Sequence, residues 1–379
     1  MELIATAAFG LEAVVARELQ TLGYERQTVA DGRVVFAADL AAICRANLWL
    51  RTGERVLLKL GEFEARDFGA LFDQTAALDW GRWIPVEGQF PVRGKSVRSQ
   101  LHSVRDCQAI VKKAIVEKLK QKNPTTWFAE QGPLFAVEVS ILKDRVTLSI
   151  DTTGPGLHKR GYRTFIGPSP LKETLAAALV ELSYWNASRP LADPFCGTGT
   201  IPIEAALLGR NRAPGAGRSF ASEGWPAIPK RLWHEARQEA RDLAVRGAGG
   251  SLSIVGSDLD EASLSHARQH AQNAGVAADI RFERRDFLKI VPEADYGCLI
   301  CNPPYGERSG DLEEAEELAR QSGDVFRRFD TWSVYVLTAL SNFEQLCRRK
   351  ADRRRKLYNG RIACTYFQFH GPRPPGVPP

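Results

Sequence analysis

Apolar residues recur along the chain with spacings that divide it into three parts. Over residues 1–64, short strand-like runs alternate with helical stripes such as the one carrying Leu11, Val15 and Leu19. Residues 65–155 continue this style with more charge, as a strand, a long helix and two strands around the turn LKDR. The pattern predicts small α+β units in both segments.

Residues 156–379 begin with a linker rich in glycine and proline and then alternate helices with strands at longer periods. A long insertion at about 210–250 predicts an extra helix. Strands are predicted, in order, at PLADP, LSIVGSD, IRFERRD, YGCLICN and WSVYVLTA, with a closing hairpin at KLYNG and RIACTYFQF. This alternation is typical of an α/β fold with a doubly wound, mostly parallel sheet, which binds ligands beyond the carboxyl ends of its strands.

The composition indicates how many domains the chain can form and whether it could enter a membrane. The chain has 379 residues, of which 44% are apolar and 25% charged, so it can bury large cores in two or three domains. No run approaches the ~18 apolar residues of a membrane span, and acidic Glu2 stands where a secretory leader would be basic. We therefore expect a cytoplasmic protein that does not enter membranes.

The seven cysteines are scattered, which favours reduced thiols over a disulfide framework. Cys298 and Cys301 have the spacing of a metal-binding pair, but no second pair or nearby histidine accompanies them. Side chains three apart on a strand point to opposite faces and cannot share one ion. We expect no metal.

Positive charge is concentrated in two places. The net charge is +6, yet residues 93–122 hold nine lysines and arginines against two acids, and residues 347–356 hold seven against one. In the first segment the apolar stripe of the helix leaves its lysines facing outward. One such run is typical of a solvated helix face, but two favour a polyanionic partner.

A glycine-rich loop, DPFCGTGTIPIEAA at 193–206, follows a short strand and opens a helix. Gly197 and Gly199 allow a tight turn, and the helix start offers free N–H groups to an anion. Pro202 stands where a dinucleotide fingerprint has glycine, and the Gly-Lys-Ser/Thr of a phosphate loop is absent. The loop suits a single carboxylate, as in S-adenosylmethionine, although a plain turn is the alternative.

Acidic residues end the next two predicted strands. Asp258 is placed to hold two ribose hydroxyls, whereas Asp260 could do so or cap the following helix, and both could simply be caps. Asp286 follows the third strand, where a carboxylate could accept from an adenine amino group and Phe287 could cover the ring. A plain turn explains Asp286 equally well.

The stretch CNPPYGER closes the predicted fourth strand at the same edge of the sheet. Its prolines remove two N–H donors, which leaves the Asn302 amide oxygen and the Pro303 carbonyl as fixed acceptors. Together these could take both hydrogens of an exocyclic amine on an extruded base, with Tyr305 stacked on that base. A rigid turn with a packed tyrosine is the alternative.

These motifs resemble those of bacterial class I methyltransferases that carry a THUMP domain and modify guanine N2 in large-subunit ribosomal RNA, the RlmL/YpsC type. The glycine loop and NPPY are shared by many amino-methylating enzymes, whereas LHKRGYR at 157–163, together with the N-terminal unit, is narrower. Further likeness lies in FGLEAVVARELQTLGY, PLKETLAAALV and LYNGRIACTYFQF.

The resemblance implies a ferredoxin-like unit at 1–64, an RNA-binding THUMP domain at 65–155, and a linker with a Rossmann-like methyltransferase domain at 156–379. Carried over by position, the methionine end of S-adenosylmethionine would be lined by Asp193, Phe195, Gly197 and Gly199. The ribose would lie at Asp258, the adenine at Asp286 and Phe287, and the target amine at Asn302, Pro303 and Tyr305. RNA would contact basic residues of the second unit, namely Arg93, Lys95, Arg98, Lys112 and Lys113.

The expected function is methyl transfer from S-adenosylmethionine to guanine N2 in 23S ribosomal RNA. A transfer RNA guanine-N2 methyltransferase is the nearest alternative, because THUMP and NPPY units are combined there too. A DNA adenine methyltransferase would leave the first two units without a role. A ribosome-assembly factor that only binds RNA is the alternative without catalysis.

Overall fold

The computed structural model describes residues 1–123, 125, 127–165, 171–246, 249–305 and 311–376. The chain divides into two compact units, each built on one seven-stranded sheet. The first unit comprises Met1–Ala7, Val15–Leu157 and Arg218–Glu239, and the second comprises Ala8–Val14, His158–Gly217 and Ala240–Pro379.

Helices and strands follow one another along the whole described chain. The helices are α1 (Glu12–Thr21), α2 (Leu40–Trp49), α3 (Phe68–Ala77), α4 (Val104–Lys122), α5 (Glu173–Glu181), α6 (Thr200–Gly209), α7 (Lys230–Arg246), α8 (Glu261–Ala274), α9 (Asp311–Arg327) and α10 (Phe343–Leu346). The strands are β1 (Glu2–Ala7), β2 (Gln27–Ala30), β3 (Arg33–Ala37), β4 (Gly53–Glu64), β5 (Val92–Val97), β6 (Val137–Leu142), β7 (Arg145–Asp151), β8 (Leu191–Asp193), β9 (Ile254–Asp258), β10 (Ile280–Arg284), β11 (Cys298–Cys301), β12 (Ser333–Thr338), β13 (Arg353–Asn359) and β14 (Ile362–Phe369).

The sheet of the first unit has the order β2-β3-β1-β4-β7-β6-β5. Its neighbours pair antiparallel, except for the parallel pair β5 and β6. Ser103 precedes helix α4 and caps it, because its hydroxyl accepts from the Asp106 N–H. The buried side chains of α4 recur at helical spacing, at Cys107, Val111, Ala114, Ile115 and Leu119. Packing of this stripe explains why a helix with many lysines is stable here.

The sheet of the second unit has the order β10-β9-β8-β11-β12-β14-β13. The first five strands are parallel, and β14 pairs antiparallel with both β12 and β13. All side chains of β11 and β12 are buried, as expected for parallel strands covered on both faces. The predicted doubly wound sheet with a closing hairpin is confirmed.

The second unit encloses two fully buried tyrosines whose hydroxyls are bonded. The Tyr366 hydroxyl donates to the Leu179 carbonyl at 2.8 Å, and the Tyr335 hydroxyl accepts from the Tyr184 N–H at 2.9 Å. These bonds avoid the free-energy cost of leaving a polar atom unpaired in the core.

All seven cysteines are buried and none of them forms a disulfide, and burial raises the pKa of the Cys298 thiol to about 12. The described residues contain no cluster of three or more side chains suited to a metal ion. Within the same residues, no helix is long and apolar enough to cross a bilayer.

Candidate active site

Four predicted site residues lie at or just beyond the carboxyl ends of neighbouring strands. Asp193 ends β8 and Asp258 ends β9, while Asp286 follows β10 and Asn302 follows β11. Parallel pairing aligns these strands, with Asp193 opposite Gly256 and Asp258 opposite Arg284. The sheet therefore brings the four side chains to one edge, where open α/β sheets bind their ligands.

The glycine loop is joined to the end of β9 by two hydrogen bonds. The Gly197 N–H donates to Asp258 Oδ2 at 2.9 Å, and the Cys196 N–H donates to the Ser257 carbonyl at 3.0 Å. Gly199 has a φ of 83°, and a Cβ there would lie 3.0 Å from both Ala267 and Phe282. Glycine is thus required at 199 for both backbone conformation and space.

Asp193 is buried at the start of this loop. One of its carboxylate oxygens accepts from the Phe195 N–H at 3.1 Å. Burial raises the pKa of the Asp193 carboxyl well above its usual range, and the charge of Asp258 raises it further. A cationic ligand group would stabilise the ionised form of this carboxyl.

The structure distinguishes Asp258 from Asp260. Asp260 caps α8, because its oxygens accept from the backbone N–H groups of Ala262 and Ser263 and from the Ser263 hydroxyl. Those hydrogen bonds lower the pKa of the Asp260 carboxyl. Half-buried Asp258 accepts from the N–H groups of Gly197 and Asp260. Asp258 is therefore the acid in direct contact with the glycine loop.

The surroundings of Asp286 differ from the arrangement expected for an adenine pocket. Asp286 caps a short 3₁₀ turn by accepting from the Leu288 N–H at 2.9 Å. This turn directs Phe287 inward, where it is 3% exposed and 4.7 Å from the ring of Phe195. Leu259, which follows Asp258, is 61% exposed. No role was predicted for it from the sequence. No local pattern could have identified it, because its exposure depends on contacts distant in sequence.

Asn302 carries a feature expected of a substrate-binding residue. Its amide oxygen is buried and has no hydrogen-bond partner among the described residues. The next two residues, Pro303 and Pro304, have no N–H to offer it. An unpaired buried acceptor costs about 1–3 kcal/mol, so a ligand that donates here regains that free energy.

Tyr305 is more covered than stacking on a base requires. Its side chain is 8% exposed, and its hydroxyl accepts from the Asn359 amide at 2.8 Å. A base can rest on this ring only if one face is uncovered, so its stacking role stays a prediction. The rest of the quoted motif, 306–308, lies outside the described residues.

The segment 158–165, which overlaps the family motif LHKRGYR, contains a buried charge cluster that was not predicted from the sequence. The Arg160 guanidinium is 3.4 Å from the carboxylate of Glu204, and the Tyr162 hydroxyl donates to the same carboxylate at 3.1 Å. Arg163 donates to the Thr200 hydroxyl at 2.7 Å. These contacts fix the segment to α6, the helix that the glycine loop opens.

His270 joins this segment to the glycine loop. Its Nδ1 is 3.2 Å from the Thr198 carbonyl, while its Nε2 accepts from the N–H groups of Thr164 and Phe165 at 3.2 and 3.3 Å. This pattern requires a neutral ring with its proton on Nδ1. Burial lowers the pKa of His270, and the nearby charges of Arg163 and His266 lower it further.

Acidification is expected to destabilise the protein through His270. Because the pKa of His270 is lowered on folding, the unfolded chain takes up a proton that the folded chain resists. The free energy of unfolding should fall as the pH drops below about 6.5, by up to about 1.4 kcal/mol per pH unit. Chemical denaturation at several pH values measures this slope.

The matched control is His270→Asn, whose amide can still donate to the Thr198 carbonyl but does not titrate. It should lose the part of the slope that comes from His270. Equal slopes for the two proteins would contradict this assignment of His270.

The five basic residues proposed for RNA differ in their surroundings. Arg93 and Lys95 are exposed on the edge strand β5, and exposed Arg98 follows it. Lys113 is exposed, 5.9 Å from the Phe72 ring. Lys112 departs from the expected outward orientation, because its ammonium donates to Glu130 at 2.5 Å and to the Phe90 carbonyl at 3.0 Å.

Family models match three consecutive parts of the chain. They are the RlmL ferredoxin-like domain at residues 2–57, the THUMP domain at 65–151 and the RMKL-like methyltransferase domain at 160–368. The matches keep the expected order.

Individual proteins resemble the chain over almost its full length. "Putative RNA methyltransferase YpsC" of Bacillus subtilis is 48% identical over 369 residues, covering 97% of this chain and 95% of that protein. "Ribosomal RNA large subunit methyltransferase K/L" of Shewanella baltica is 34% identical over 375 residues, and the chain spans 52% of its length.

A solved structure also resembles the chain over almost its full length. SMU.472, "a putative methyltransferase complexed with SAH", superposes with a TM-score of 0.92 at 43% identity, covering 98% of each chain. The chain therefore belongs to the THUMP-domain class I RNA methyltransferase family of the RlmL/YpsC type, and its cofactor is S-adenosylmethionine.

Proposed function

We propose that this enzyme transfers a methyl group to the exocyclic N2 amine of a guanine in 23S ribosomal RNA. The observation that carries the proposal is the buried, unpartnered amide oxygen of Asn302 at the carboxyl edge of the sheet. It is an acceptor without a donor in the described protein, next to two prolines that cannot supply one. The guanine amine has two hydrogens to donate.

The chemistry that these residues can perform is to hold the amine. The Asn302 oxygen and the Pro303 carbonyl would each accept one amine hydrogen, which keeps electron density on the nitrogen. S-adenosylmethionine supplies a methyl group on a sulfonium, so no covalent intermediate with the protein is required. Most of the acceleration would come from placing the nitrogen ~3 Å from the methyl carbon in line for attack.

The neighbouring strand ends would hold the cofactor. Its methionine end would lie against Gly197 and Gly199, beside the start of α6. The buried carboxyl of Asp193 and the ring of Phe195 would line the same end. Asp258 would take the ribose hydroxyls.

The adenine would be held by groups after β9 and β10. Asp286 would accept from its amino group, with Phe287 behind and exposed Leu259 against the ring. Leu259 suits this contact better than Phe287 because its side chain is open to a ligand.

RNA would be held by the first unit as well. We keep the division into 1–64, 65–155 and 156–379 and the contacts from Arg93, Lys95, Arg98 and Lys113 as part of this proposal. Lys112 would contribute only if its ion pair with Glu130 opened. The cytosol, where ribosomal RNA is made in bacteria, is the proposed place of action.

The direct test is methyl transfer from labelled S-adenosylmethionine to three polymers: deproteinised 23S ribosomal RNA, a transfer RNA transcript and duplex DNA. We expect label in 23S RNA. Label in transfer RNA alone would favour the transfer RNA alternative, and label in DNA alone would support an adenine methyltransferase. Binding of 23S RNA without methyl transfer would support the alternative of a ribosome-assembly factor that only binds RNA.

A further inference from the structure

A loop of the second unit holds a phenylalanine open to solvent. Phe9 is 60% exposed, yet its neighbour Gly10 is firmly attached to strand β13. The Arg355 guanidinium donates to the Gly10 carbonyl at 3.0 Å, and the Gly10 N–H donates to Glu12 at 2.9 Å. Gly10 has a φ of 89°, and a Cβ there would lie 2.8 Å from the Lys356 carbonyl. Only glycine allows this close approach.

The exposed ring has an aromatic and a cationic neighbour on β13. The rings of Phe9 and Tyr358 meet edge to face with centroids 6.5 Å apart. The Lys356 ammonium is 5.6 Å from the centroid of Tyr358. We call Phe9, Lys356 and Tyr358 the Phe9 platform.

The Phe9 platform is continuous along the chain with the proposed target-amine site. Tyr358 is followed by Asn359, whose amide donates to the Tyr305 hydroxyl at 2.8 Å. Strand β13 alternates in burial at this end, with buried Leu357 and Asn359 and exposed Lys356. One face of β13 therefore supports Tyr305, while Lys356 points away from it.

Charge indicates what would cover this surface. Residues 347–356, which lead into and form most of β13, hold seven basic residues and one acid. Strand β13 is the edge strand of its sheet, so no strand among the described residues pairs with its outer side. Exposed aromatic rings beside lysines and arginines are typical of surfaces that stack bases and neutralise phosphates.

We propose that the Phe9 platform binds an unpaired RNA nucleotide next to the target guanine, with the base on Phe9 and a phosphate at Lys356. This inference rests on the proposed function, since it takes RNA as the substrate. It adds the requirement that the target guanine lie in an RNA loop or at the end of an RNA strand. A base within a duplex has no free face for Phe9. The platform would hold the neighbouring base while the guanine is extruded.

The test measures binding of a hairpin RNA with an unpaired, guanine-containing loop to the full-length protein. Phe9→Ala should weaken binding about 10- to 100-fold, whereas Phe9→Tyr should retain most of it. Affinity for a blunt RNA duplex should not change. Lys356→Ala should reduce the slope of log affinity against log salt by about 0.7.

The matched control is Tyr184→Ala, which removes a ring of similar exposure, 54%, before the amino end of β8. It should bind the hairpin like the wild type. Binding of S-adenosylhomocysteine by every variant verifies that the second unit is folded.

The outcomes separate this inference from the proposed function. If the wild type methylates RNA but Phe9→Ala binds the hairpin equally well, the platform is wrong and the function stands. If Phe9→Ala loses hairpin binding but the wild type methylates no RNA, the inference about the platform is supported and the proposed function is wrong. A wild type that does not bind the hairpin overturns the platform.

Discussion

Replacing Asn302 by alanine is expected to lower kcat for RNA methylation by about 100- to 1,000-fold. The substitution removes the unpartnered oxygen that would accept an amine hydrogen. The magnitude follows from the loss of one preorganised hydrogen bond to a reacting group. Single-turnover methylation with saturating RNA and cofactor measures this step.

The matched variant is Asn302→Asp, which keeps an acceptor at the same position and should retain more activity than Asn302→Ala. Both variants should bind S-adenosylhomocysteine with wild-type affinity and should still bind RNA, because most contacts to the RNA do not involve this hydrogen bond. Wild-type kcat in Asn302→Ala would show that the amide oxygen has no part in the reaction.

Replacing Glu204 by alanine is expected to lower the free energy of unfolding by about 3–5 kcal/mol. Arg160 is buried and would lose the Glu204 carboxylate 3.4 Å from its guanidinium, and breaking a buried ion pair by removing one partner is strongly destabilising. The Tyr162 hydroxyl would lose the same acceptor. Urea denaturation followed by circular dichroism measures the change.

The paired control replaces both charges, as Arg160→Met with Glu204→Leu. It removes both charges of this ion pair and should recover a large part of the lost stability. A double variant that is no more stable than Glu204→Ala alone would mean that the buried charge is not the cause.

The fold could be predicted closely where local pattern decides structure. The helix α6, Thr200–Gly209, begins directly after the glycine loop that was predicted to open a helix, and the hairpin of β13 and β14 was predicted from the runs KLYNG and RIACTYFQF. The inserted helix appears as α7. Helix α9 was missed because most of it is a polar run whose buried positions are small residues such as Ala315 and Ala319, while its large buried residue, Phe326, lies only in the last turn.

The candidate site could be predicted only as far as one topology rule extends, namely that open α/β sheets bind ligands at the carboxyl ends of their parallel strands. That rule brings Asp193, Asp258 and Asn302 to one edge, whatever their roles. It does not say that Phe287 turns inward or that Tyr305 is bonded to Asn359, since burial depends on contacts distant in sequence. The exposed position of Phe9 could not be predicted for the same reason, because its loop contacts a strand more than 300 residues later in the chain.

Identification of the methylated nucleoside tests the central claim most directly. Ribosomal RNA from cells with and without the gene would be digested and analysed by mass spectrometry, first as nucleosides and then as mapped fragments. The account predicts that one N2-methylguanosine in 23S RNA disappears with the gene and returns when purified enzyme and S-adenosylmethionine are added. Loss of a methyladenosine, or of no methylated nucleoside in 23S RNA, would contradict it.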